Sequence, residues 1–137
     1  MLNCLKASTI MTHHRRAVDV HGGVNSAKIP PEVENLAEYV EDTAMRYEFD
    51  EIETIALAAY QIVKKHPFVD GNKRTAELLI HNCFRRVTMK YTGRPKDLAL
   101  QIIELATSDP SKKEESIRLL AYFLKRNLAR YKMLGTL

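Results

Sequence analysis

His66-Pro67-Phe68-Val69-Asp70-Gly71-Asn72-Lys73-Arg74-Thr75-Ala76 organises the reading of the whole chain. Pro67 lacks an N–H and its ring clashes with a preceding helical turn, so the helix pattern before it stops near His66. Gly71-Asn72 allows a tight turn, because glycine accepts positive φ freely and asparagine better than most residues. From Lys73 onward Ala76, Leu79, Ile80, Cys83, Phe84 and Val87 recur at three- and four-residue spacing, which predicts a helix. The stretch therefore reads as helix, sharp loop, helix. A helix start offers free N–H groups and a positive dipole end, both favourable to a phosphate. Lys73 and Arg74 add full positive charge at the same place.

The residue types in the loop name a chemistry. An imidazole at His66 can take a proton from a hydroxyl near neutral pH. A carboxylate at Asp70 can hold a divalent cation that bridges phosphate oxygens. The backbone of Gly71 and Asn72 can cradle phosphates, joined by Lys73, and Arg74 can contact one of them with two prongs. Phe68, an aromatic between a proline and a polar run, suits a plug that anchors the loop in the core. A plain inter-helix turn has no use for all of these within nine positions.

HPFVDGNKR resembles the signature of the Fic/Doc (Fido) family: His-Pro-Phe, any residue, Asp or Glu, Gly-Asn, Gly or Lys, Arg. The resemblance extends over about residues 15–130, with Thr92-Gly93-Arg94-Pro95 and a further amphipathic helix following the signature helix. It implies an enzyme that uses ATP and Mg²⁺ to modify a hydroxyl side chain on a target protein. His66 would be the general base and Asp70 the metal ligand. Gly71, Asn72, Lys73 and Arg74 would hold the nucleotide phosphates, with Phe68 as loop anchor. Family members with Gly at the position of Lys73 mostly transfer AMP, whereas those with Lys resemble the Doc toxin, which transfers the γ-phosphate. Lys73 thus favours Doc-like phosphoryl transfer, with AMP transfer as the alternative. Many relatives also carry an inhibitory Ser/Thr-x-x-x-Glu-Gly/Asn segment, and this sequence has no full match. Regulation then falls to a separate antitoxin partner or is absent.

The remaining composition bounds the reading. At 137 residues the chain is expected to form one domain, 1–137, with a substantial core. Apolar residues at 45% and charged residues at 28% are ordinary for a globular chain. No apolar run approaches a membrane span and the first residues lack a signal-peptide arrangement, so the cytoplasm is the expected compartment. Cys4 and Cys83 show no metal spacing and no disulfide framework; Cys83 falls on an apolar helix face as a small core residue. A net charge of +4 permits an acidic partner without requiring one. The competing class is a non-enzymatic basic module using Lys73, Arg74, Arg85 and Arg86 on nucleic acid. It leaves His66 and Asp70 without a purpose and is not favoured.

Taken in order, the chain predicts an all-α bundle of five helices with a short β-hairpin flap. Residues 1–14 carry little signal, and His13, His14 and His21 read as exposed. Ala17 to His21 alternates apolar and polar, Gly22-Gly23 supplies a turn, and Val24 to Ile29 can return as a second strand. The family resemblance makes this segment, Val18, Asp19, Val20, His21, Gly22 and Gly23, a flap that docks the target by strand addition. Helices follow over 31–44, 50–66, 73–87, 95–107 and 111–131. Asp50 with Glu53, and Ser111 with Glu114, read as capping boxes. His81 reads as half-buried.

Overall fold

The computed structural model describes residues 2–23 and 31–130. Six helices make up almost all of it: α1 (Ala7–His21), α2 (Pro31–Arg46), α3 (Glu51–Lys65), α4 (Asn72–Arg86), α5 (Pro95–Thr107) and α6 (Lys113–Arg126). Short 3₁₀ turns at Asn3–Leu5 and Pro110–Lys112 precede α1 and α6. The fold is all-α, as expected. The centre is α3, buried continuously from Thr54 to Val63 and packed against α2, α4, α5 and α6. Its small residues Ala56, Ala58 and Ala59 are fully buried, which lets neighbouring helices approach closely. Asp50 starts α3 with the expected capping box: its side chain accepts from Glu53 N–H while Glu53 accepts from Asp50 N–H. The second expected box is not formed. Asp109 instead accepts from Ser111 N–H and caps the 3₁₀ turn, and α6 begins at Lys113 without a side-chain cap.

Three further expectations are overturned in the backbone and the cysteines. The flap is the first, because Val18, Asp19, Val20 and His21 lie in the last turns of α1 rather than on a strand. Ile10, His13, His14, Ala17 and Val18 form the buried face of that helix, at helical spacing. Two of those five positions are histidines, and they hid the apolar period; the five-residue window that remained read as alternation. Gly22 and Gly23 follow with φ of 82° and 120°, and the expected return strand at 24–29 lies outside the described residues. The second concerns the C-terminal helix, which ends at Arg126. Leu128 belongs to strand β2 (Leu128–Arg130), paired antiparallel with β1 (Met89–Tyr91) so that Tyr91 faces Leu128; Tyr131 lies outside the described residues. The third is the cysteine pair. Cys4 and Cys83 are joined by a disulfide that staples the first 3₁₀ turn to α4 across 79 residues. Cys83 is a fully buried core residue as read, but the fold brings Cys4 against it, and no sequence spacing encodes that proximity.

Candidate active site

The loop between α3 and α4 is held by unusual backbone geometry and by one side chain. His66 ends α3 in the left-handed region at φ 48°, ψ 58°, a conformation that costs a non-glycine residue free energy and is found where surrounding structure fixes it. Gly71, at φ 78°, makes the complementary turn into α4. Asn72 is 7% exposed and spans the loop from inside. Its Oδ1 accepts from Phe68 N–H at 3.2 Å and its Nδ2 donates to Phe68 O at 2.9 Å. The same amide donates to His66 Nδ1 at 3.4 Å, a long contact that orients the ring. The Asn72 side chain is thus spent on shaping the loop, leaving its backbone for any phosphate. Thr75 adds a side-chain bond to Gly71 O at 2.7 Å.

A second clamp comes from α1. Phe68 is 1% exposed and lies flat on the ring of His14, with centroids 3.8 Å apart and planes 4° from parallel. His14 Nε2 donates to Asp70 O at 2.8 Å. Expected to be exposed, His14 and His13 are instead among the most buried polar residues described. The reason lies in the fold: α1 packs along α4 and drives this histidine pair into the interface. His14 sits 56 residues before its partner, so nothing local in the sequence announces the contact. Gly23 completes the clamp, since a Cβ there would stand 3.1 Å from Asp70 Cβ. His13 has both ring nitrogens buried without a hydrogen-bond partner, and burial beside Arg16, Arg85 and Arg86 holds its pKa below the usual value.

These supports open onto a cleft of about 600 Å³ at the N-terminus of α4. Its walls bring together His66, Asp70, Gly71, Asn72, Lys73 and Arg74, all named from the sequence. Lys73 and Arg74 are exposed at its edge. Glu77 and the apolar residues Val69, Ala99 and Ile103 also line it and were not foreseen. A helical period would have found Glu77, one turn beyond Lys73 and Arg74, but α5 enters only through tertiary packing. Val18 does not line this cleft: it is 8% exposed and packs near Gly71. Arg85 and Arg86 sit at the other end of α4, roughly 17 Å along its axis from Arg74 by helical rise, so the four cations do not make one patch. His81 is half-buried against the edge of the Tyr91 ring, and burial lowers its pKa.

Among the described residues no group of three or more His, Cys, Asp or Glu side chains could hold a metal ion by itself. The donor set fits a magnesium ion shared with a phosphate, which takes roughly one or two protein carboxylates and completes its shell with phosphate oxygens and water. No described helix is long and apolar enough to cross a membrane. No curated protein matches the sequence. The sequence model of the Fic/DOC family matches residues 5–84, from the 3₁₀ turn before α1 to the last turns of α4. That span covers more than half of the chain and contains both clamps and the whole loop, while the cleft residues Ala99 and Ile103 lie beyond it. The chain belongs to the Fic/DOC family, and with it to the Fic-type enzymes that modify proteins.

Proposed function

We propose that this protein transfers the γ-phosphoryl group of ATP to a hydroxyl side chain of a target protein. The observation that carries the proposal is the meeting of His66, Asp70, Lys73 and Arg74 in one cleft at a helix N-terminus. In this reading the hydroxyl proton passes to His66 as the oxygen attacks the γ-phosphorus; the bond from that phosphorus to the β-γ bridging oxygen breaks, and ADP leaves. The free N–H groups of Gly71 and Asn72, with Lys73 and Arg74, bind the phosphates and offset charge on them. Asp70 would hold the magnesium ion, which supplies further neutralisation of phosphate charge when bound. Phe68, Asn72 and His14 keep the loop in shape, so that base and phosphate seat hold their separation.

Lys73 supports γ-transfer over AMP transfer. A long cationic side chain stands where a glycine would leave room for α- and β-phosphates, so the nucleotide presents its terminal phosphate to His66. The resemblance to Doc extends the proposal to a toxin held in check by a separate antitoxin protein. The test uses ATP labelled at the α- or the γ-phosphate, with Mg²⁺ and a cell extract. Label reaching a target protein from the γ-position alone supports the proposal, and label from the α-position replaces it with AMP transfer. A protein that retains DNA with steep salt dependence and shows no stabilisation by Mg²⁺-ATP would be a nucleic-acid module instead.

A further inference from the structure

One carboxylate in the cleft has no part in the chemistry above. Glu77 lies one turn beyond Lys73 on α4 and lines the same cavity. It is half-buried, and among the described residues no hydrogen bond or ion pair engages it. Burial pushes its carboxyl above the usual range, against a smaller opposing influence of Arg74. A negative group there repels any phosphate placed over it. It does suit a neighbour that donates hydrogen bonds, because an ionised carboxylate offers only acceptors.

The rest of the cleft says what such a neighbour would be. Its phosphate-seating end is the loop with Lys73 and Arg74; Ala99 and Ile103 of α5, the latter 46% exposed, line the same cavity. Glu77 lies four positions beyond Lys73, roughly 6 Å of helix rise, about the reach from a phosphate to the sugar attached to it. Cations at the helix start, a carboxylate one turn on and apolar residues in the same cavity match what the phosphates, vicinal hydroxyls and ring face of a ribonucleotide require.

We infer that Glu77 is the ribose-recognising residue of this site, accepting hydrogen bonds from the 2′- and 3′-hydroxyls and thereby setting the orientation of the nucleotide. The inference rests on the γ-transfer reading: with the terminal phosphate beside His66, the nucleoside extends along α4 over Glu77. A reversed nucleotide would lay its negative phosphate tail on the same carboxylate, so Glu77 also disfavours that pose.

The test measures Mg²⁺-dependent binding of ATP, 2′,3′-dideoxy-ATP and inorganic tripolyphosphate by calorimetry, on the full chain and its Glu77→Ala and Glu77→Gln variants. Hydrogen bonds to a charged acceptor predict that the native chain prefers ATP over the dideoxy analogue by about ten- to a hundredfold. Glu77→Ala should bring that ratio close to one while tightening tripolyphosphate, a pair of opposite changes that a purely structural role would not produce. Glu77→Gln, isosteric and still an acceptor, should keep part of the ribose preference and also bind tripolyphosphate more tightly; it serves alone if the alanine variant does not fold. An unchanged ratio in either variant, or equal weakening of all three ligands, overturns the inference. The labelling experiment separates the two proposals. Transfer from the α-position rejects γ-transfer and, with it, the ribose contact and the orienting role of Glu77, which depend on that pose. Transfer from the γ-position with an unchanged ratio rejects Glu77 alone.

Discussion

Replacing His14 tests whether α1 holds the loop between α3 and α4. The side chain is 2% exposed, donates to Asp70 O at 2.8 Å and stacks on Phe68 at 3.8 Å. His14→Phe keeps an aromatic ring for the stack and removes the donor, leaving the Asp70 carbonyl without that bond; this costs about 1–3 kcal/mol. His14→Ala also loses the stack, about 0.5–1.5 kcal/mol, and leaves a void beside Phe68, for a total of roughly 3–5 kcal/mol. For a chain of this length such losses lower the melting temperature by roughly 3–10 °C for phenylalanine and 10–18 °C for alanine. The informative comparison is activity at a temperature where both variants remain folded. The bond fixes the residue that would hold the metal, and misplacing a reacting group by about 1 Å can cost on the order of a hundredfold in rate. His14→Phe should therefore lose at least tenfold in transfer while its far-UV circular dichroism is unchanged. Native turnover in that variant would refute the clamp, whatever its stability.

Other expectations follow from the same geometry. His66→Ala should reduce transfer by about two to four orders of magnitude with an unchanged melting curve, checked by labelled-ATP assays. Asp70→Ala should lower transfer and Mg²⁺-dependent stabilisation by ATP together; stabilisation that survives in this variant, or persists in a chelator, removes the metal role. Reducing the Cys4–Cys83 disulfide should destabilise the fold by roughly 4.5 kcal/mol in the chain-entropy estimate, read from denaturant midpoints with and without reductant. His13 and His81 both have pKa values lowered chiefly by burial, so the unfolded chain binds their protons first as pH falls. Their contribution to stability is complete above the unfolded histidine value near 6.5 and is lost as pH drops below it. Melting temperature should accordingly fall as pH drops below about 6.5, and His13→Gln should flatten that slope.

Helix α3 and the loop after it were readable because their causes are local. Apolar spacing, the Asp50–Glu53 box, Pro67 and the Gly71-Asn72 turn act within a few residues of one another, and the structure keeps all of them. Helix α1 is not legible from its own pattern, for a related reason. Its buried face carries His13 and His14 where a pattern search looks for apolar residues, and only packing against α4 makes those positions interior.

The residues of the loop, from His66 to Arg74, were determined by the sequence itself, since the loop is continuous and its turn chemistry is intrinsic. Everything that surrounds the loop came from tertiary structure. His14 reaches Asp70 across 56 positions, Cys4 reaches Cys83 across 79, and Ala99 and Ile103 arrive on a different helix. Such contacts follow from how amphipathic helices choose neighbours, a property of all the buried faces together, and no single segment of sequence contains it.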